Sequence, residues 1–162
     1  MIFATTGTQL VFPRLMAALE ALAPELGEPI IAQAGPEAGA AEAYPHLDIR
    51  AHLAPAEYDR IVTEARVIVA HAGIGTILTA RRHGKPLILV PRRLDQGEHR
   101  NDHQLATARQ VAALPGIHVA WEMDALAPFL ARPDLPAASE DDARGHRAAL
   151  TGFMRGWIAD QR

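Results

Sequence analysis

Short apolar runs alternate along the chain with segments whose apolar residues recur every third or fourth position. The runs "MIFAT" (1–5), "EPIIAQAG" (28–35), "IRAHL" (49–53), "RVIVA" (66–70), "KPLILVP" (85–91) and the centre of "PGIHVAW" (115–121) predict six strands. Phe12, Leu15, Met16, Leu19 and Leu22 follow the first run at helical spacing, and Pro13 suits a first helical turn. "APAEYDRIVTEA" (54–65) predicts a helix that turns Tyr58, Ile61 and Val62 inward. "IGTILTARRHG" (74–84) predicts a helix ended by Gly84, "HQLATARQVAAL" (103–114) another, and "MDALAPFLA" (123–131) a short one. The fourth run is apolar at nearly every position, as a strand covered on both faces is. Strands that alternate with helices predict an α/β domain: a Rossmann-like parallel sheet of about six strands with helices on both faces. "PEAGAAEAYPHLD" (36–48) reads as a loop and "RPDLPAASEDD" (132–142) as a linker. Ser139 and the acids after it form a helix-start signal. Leu150, Phe153, Met154, Trp157 and Ile158 then make the apolar stripe of a carboxyl-terminal helix, 139–162, expected to dock on the body of a single domain spanning 1–162.

Composition narrows the classes. The 162 residues suit one core, and 49% of them are apolar, but no run is long enough to cross a bilayer. The amino end, "MIFATTGTQL", has no basic leader and reads as a strand rather than a signal peptide. The absence of cysteine excludes disulfide and thiol chemistry and fits a cytoplasmic protein. A formal net charge of −3 gives no global basic field, so nucleic acid is not an expected partner.

Ligands of parallel sheets bind at the carboxyl ends of the strands. Three polar loops fall there: "TGTQ" (6–9), "HAGIGT" (71–76) and "PRRLDQGEHRND" (91–102). The first offers backbone N–H groups and the hydroxyls of Thr6 and Thr8. The second places Gly73, Gly75 and Thr76 at a helix start, where N–H groups favour an anion; a tight turn that binds nothing is the alternative. The third carries side chains suited to sugar hydroxyls. Phosphate and polyol together suggest a nucleotide sugar. His71 either contacts the diphosphate or caps the sheet edge through backbone. Arg92 and Arg93 either neutralise the diphosphate or a sugar carboxylate, or form a solvated pair. His99 and His103 stand four apart beside Glu98 and Asp102, a spacing known for zinc, but Gly97 and Asn101 argue for a loop there, and no metal is expected.

"FATTGTQLVFPRLM", "VAHAGIGTILTARRHGKPLILVPR" and "GEHRNDHQLATA" resemble the carboxyl-terminal domain of family 28 glycosyltransferases. Within it the chain is similar to the small subunits of split bacterial polysaccharide glycosyltransferases, the PssE-like proteins, and to their eukaryotic counterpart in dolichol-linked oligosaccharide synthesis. The resemblance implies the donor-binding half of a GT-B fold and a metal-independent hexosyltransferase without cofactor, its UDP-sugar being a substrate. It implies a membrane-anchored, acceptor-binding (PssD-like) partner subunit, a lipid-linked saccharide acceptor, a role in exopolysaccharide synthesis, and a place at the inner face of the cytoplasmic membrane. It assigns Thr8, Gln9, His71, Gly73, Gly75 and Thr76 to the donor diphosphate. Thr79, Arg92, Arg93, Asn101, His103 and Gln104 fall to the sugar and nucleoside. Thr79 stands where relatives carry a ribose-binding glutamate. A general base is expected on the partner, with Glu98 and His99 as the candidates of this chain. The arginines of the 91–102 loop favour UDP-glucuronate over UDP-galactose and UDP-N-acetylglucosamine. A non-catalytic nucleotide-sugar-binding subunit and a stand-alone epimerase or hydrolase are the alternatives.

Overall fold

The computed structural model describes residues 1–7, 10–35 and 43–139. Its strands are β1 (Ile2–Thr5), β2 (Ile30–Gln33), β3 (Leu47–Arg50), β4 (Val67–His71), β5 (Leu87–Val90) and β6 (Ile117–Val119); its helices are α1 (Pro13–Leu26), α2 (Pro55–Glu64), α3 (Ile74–Arg82), α4 (His103–Val111) and α5 (Leu126–Leu130). The six strands form one sheet in the order β3-β2-β1-β4-β5-β6. All five pairings are parallel.

Alternate strand residues feed opposite cores, as the two-residue period of a strand requires. Ile2, Ala4, Val67, Val69, Ile88 and Val90 pack with Leu15, Met16 and Leu19 of α1 and with Leu126 and Leu130. Phe3, Ile68, Ala70, Leu87 and Leu89 pack on the other face with Ile61 and Val62 of α2, Ile77 and Ala80 of α3, and Ala108 of α4. A sheet covered on both faces explains why these strands read as unbroken apolar runs.

Each predicted strand is present, with one displaced. β3 occupies Leu47–Arg50, not residues 49–53, so Leu47 and Asp48 leave the expected loop for the sheet. The cause is register: Leu47 pairs with Ile30, Arg50 with Gln33, and β2 has no further strand residue to pair. Leu53 is buried without being a strand residue, packed beneath α2. Asp48 and Arg50 form an exposed ion pair on this edge strand, a charged edge that discourages strand addition. The predicted short helix begins as a 3₁₀ turn, Met123–Ala125, before α5. Ala138 then donates its N–H to the Lys85 carbonyl beneath β5, and Arg81 donates to the carbonyl of Ser139. The expected carboxyl-terminal helix lies, beyond Ser139, outside the described residues.

Chain order reverses between β1 and β4, which are adjacent. That reversal opens a crevice at their carboxyl ends, where Thr6 and Gly7 leave β1 and His71 closes β4.

Candidate functional site

Two adjoining clefts occupy this crevice. One, of about 350 Å³, is lined by Thr5, Gly7, Gln33, Tyr58, His71, Gly73, Gly75, Thr76 and Thr79. The other, of about 240 Å³, is lined by Thr6, Gly7, Leu10, His71, Arg92, His99 and Gln104. His71 and Gly7 belong to both. Two buried polar atoms without hydrogen-bond partners, Thr6 Oγ1 and Gln33 Oε1, meet here. Buried polar atoms are ordinarily satisfied, so two orphans at one crevice mark a place for a polar ligand.

The two glycines of "HAGIGT" differ in what they make room for. A Cβ on Gly73 would fall closer than 3.0 Å to Nε2 of His71, and one on Gly7 would fall 3.0 Å from Cε1 of the same ring. His71 is thus wedged between the β1 and β4 loops, and both glycines accommodate it. Gly75, in the first turn of α3, has nothing within 4 Å of a Cβ among the described residues. Packing among these residues gives no reason for glycine there. The amino end of α3 also has no side-chain cap, so its first N–H groups stay open to a ligand.

Burial pushes the His71 imidazole below its ordinary value of 6.5, and the nearness of Arg92 and His99 adds to this, while a Thr5 backbone group opposes it. Burial likewise lowers His118. A histidine whose folded pKa is depressed binds its proton more readily in the unfolded chain. Stability is therefore full above about pH 6.5 and falls as pH drops below it. Urea titrations at pH 7.5 and 5.5 should show a lower midpoint at 5.5, and His71→Gln should lessen the difference. Burial raises the Tyr58 phenol, against the pull of the hydroxyl of Thr79, the charge of Arg82 and the hydroxyl of Thr76, so all three hydroxyls are neutral donors and acceptors on the α2–α3 wall.

The 91–102 loop is held by side chains that sequence reasoning assigned to ligand. Arg92 is 1% exposed; its guanidinium donates to the carbonyls of Val11, Thr6 and Leu10 and stacks over the Phe12 ring at 4.4 Å. It organises the β1–α1 loop and brings its charge to the cleft wall. Arg93 turns away, donating to the Trp121 carbonyl and pairing with Glu122. Glu98 accepts both arms of Arg14, at 2.6 and 2.8 Å, and the N–H of Arg93 at 3.0 Å. Its oxygens are committed to the loop, which leaves it poorly placed to act as a base. Gln104 Oε1 accepts the N–H groups of Ala72 and Arg92, tying the ends of β4 and β5 together; its NH₂ is the part still available to a ligand. His99 lines the smaller cleft, with Nδ1 3.1 Å from Asn101 Oδ1. Asn101 also accepts the N–H of His103, whose side chain lines neither cleft. Thr8 and Gln9 lie outside the described residues. The sequence reading missed Gln33, Thr5 and Tyr58; Gln33 and Thr5 end their strands, a position that marks candidates, whereas Tyr58 reads as core from helix periodicity. Among the described residues no group of three or more histidine or carboxylate side chains could hold a metal ion. No helix among them is long and apolar enough to cross a membrane.

Residues 1–115 match the model of the glycosyltransferase family 28 C-terminal domain. No curated protein matches the chain significantly. Among solved structures the chain is similar to the glycotransferase of kitacinnamycin, with 22% identity and a TM-score of 0.58 over 80% of this chain and 33% of that one. It is also similar to glycosyltransferase SsfS6 of Streptomyces sp. SF2575, solved with thymidine diphosphate, with 22% identity and a TM-score of 0.56 over 79% of this chain and 32% of that one. The chain spans about a third of the length of each, and at this identity the likeness is one of fold.

Proposed function

Because the chain belongs to the glycosyltransferase family 28 C-terminal domain family, as the match over residues 1–115 establishes, we propose that its cleft binds the nucleoside diphosphate of a sugar donor for transfer of the sugar to a lipid-linked acceptor. The observation that carries this reading is Gly75: space left open at an uncapped helix start, beside a crevice lined with orphaned polar atoms. Diphosphate accepts hydrogen bonds from the first turn of α3, and in the transition state those N–H dipoles stabilise the charge gathering on the leaving group. The larger cleft, with Gln33, Tyr58 and Thr79, suits the nucleoside; the smaller, with His99 and the amide of Gln104, suits the sugar. The thymidine diphosphate complex of a neighbour of the same fold is consistent with this.

A second half supplies the acceptor and the general base; His99 is the group of this chain best placed to share that role, since Glu98 is committed to Arg14. Leu10, Ile74, Leu78, Leu94 and Trp121 are exposed large apolar residues, and all follow carboxyl ends of strands. Ile74 and Leu78 share one face of α3, four residues apart. Exposed apolar side chains on the segments that follow the strands support a partner that docks there, here a membrane-anchored subunit, with exopolysaccharide synthesis as the setting. Of the three arginines that favoured glucuronate, Arg92 and Arg93 serve the fold, and Arg100 is left as the reader of a sugar carboxylate.

The test is calorimetric binding of UDP-glucuronate, UDP-galactose and UDP-N-acetylglucosamine, followed by UDP release with and without the acceptor-binding subunit, each with EDTA. Donor binding by the chain alone, turnover only with the partner, and indifference to EDTA are expected. Arg100→Ala should weaken UDP-glucuronate selectively. Absence of donor binding overturns the proposal; turnover without a partner replaces the split transferase by a stand-alone enzyme.

A further inference from the structure

His71 stands at the topological reversal of the sheet and is shared by both clefts. Its ring presents two different edges. Nδ1 is buried and without a hydrogen-bond partner, and the ring lies beside a backbone group of Thr5. Nε2 lies against Gly73, the residue before the first turn of α3. A neutral imidazole has one donor and one acceptor nitrogen, whereas an imidazolium has two donors. Phosphate oxygens are acceptors, so the charged ring suits the ligand that the neighbouring N–H groups attract better than the neutral one does.

From this geometry we infer that His71 takes up a proton when the diphosphate of a sugar nucleotide enters the cleft, so that the departing diphosphate meets an imidazolium absent from the empty site. The inference rests on the function proposed above. The groups around the ring explain why the ligand must bring the change. Arg92, from the loop after β5, and His99, from the loop before α4, are cationic or able to become so, and both disfavour a charged ring. Tyr58 of α2 is neutral at physiological pH. The β1 loop contributes Thr5, Thr6 and Gly7, and α3 contributes Thr76 and Thr79, all uncharged; Gln33 and Gln104 are amides. Glu98 lies behind Arg92, held by Arg14. Neither cleft is lined by a carboxylate among the described residues. The phosphates, held at the amino end of α3 beside the ring, are then the anions that raise the proton affinity of His71.

The experiment is titration calorimetry at pH 7 with whichever of UDP-glucuronate, UDP-galactose and UDP-N-acetylglucosamine binds best, repeated in PIPES and in Tris. UDP itself is unsuitable, since its terminal phosphate titrates near pH ~6; in a UDP-sugar each phosphorus carries one ester and one anhydride bond, so neither has a second proton to titrate. Wild type should draw protons from the buffer, and its affinity should fall by up to about tenfold per pH unit as pH rises. His71→Gln, which keeps a donor without a titration, should bind with no uptake and a flat pH profile, while His99→Gln should retain the uptake. Binding without uptake, or uptake that survives His71→Gln or disappears in His99→Gln, overturns the inference and leaves donor binding intact. Should His71→Gln not fold, the imidazole carbon-bound proton of His71 in the wild type, followed by NMR at pH 7, must move to its imidazolium position on donor addition; an unmoved signal overturns the inference. If no donor binds, the proposed function fails and this inference with it.

Discussion

Arg92→Ala is expected to cost on the order of 2–4 kcal/mol of folding stability, since a buried acceptor left unsatisfied costs about 1–3 kcal/mol, partly offset by removing a buried charge that has no ion-pair partner. The side chain is 1% exposed and donates to the carbonyls of Val11, Thr6 and Leu10, at 2.5, 3.0 and 2.6 Å. Removing it strands acceptors in the turn between β1 and α1 and empties the space over the Phe12 ring. Arg92→Lys should recover little, because one ammonium on a flexible stem cannot span the positions that a planar fork reaches. The neighbouring Arg93 gives the contrast. Its partners, the Trp121 carbonyl and the exposed Glu122, belong to surface structure, so Arg93→Ala should cost no more than about 1 kcal/mol. Denaturant midpoints of the three variants check this; equal losses at Arg92 and Arg93 would refute the assignment of Arg92 to the fold.

Gly75→Ala should separate folding from binding. Nothing among the described residues lies within 4 Å of the added Cβ, and the position is helical, so alanine should stabilise the empty protein by roughly 0.5–1 kcal/mol. The same methyl enters the space where a diphosphate would approach the first N–H groups of α3, and donor affinity should fall by on the order of tenfold or more, the equivalent of about 1.4 kcal/mol or more. Gly73→Ala should behave differently. Its Cβ collides with the His71 ring, so both stability and binding should drop. Melting curves and donor titrations of the two variants read the difference. A Gly75→Ala protein that binds donor normally would remove the main support for a phosphate at α3.

Much of this was legible in the sequence because it is encoded locally. The strands at 66–70 and 85–91 declare themselves by apolar residues on both faces, and the crevice follows from strand order. β3 was misplaced because its bounds come from pairing with β2, and pairing is not local. The site was legible in outline and not in detail for a related reason. "HAGIGT" marks a turn, but only the fold reveals that Gly73 yields space to His71 while Gly75 yields it to none of the described residues. The arginines of the 91–102 loop looked alike in sequence. Burial distinguishes them, and Arg92 is consumed by carbonyls more than eighty residues earlier in the chain. Glu98 looked available for chemistry until Arg14, 84 residues away, occupied both its oxygens.

The last described strand has a bearing on how the protein must be handled. The family match ends at residue 115, yet β6 begins at Ile117 and pairs along Leu87, Ile88 and Leu89 of β5. The segment after α5 then closes under β5 through Ala138 and Lys85. A chain cut where the match ends would leave four consecutive aliphatic residues, Leu87–Val90, as a bare edge with unpaired N–H and carbonyl groups. Such an edge is sticky toward other strands. Expressed that way, the domain would be recovered as aggregate or as strand-swapped oligomers, and its apparent inactivity would say nothing about the cleft.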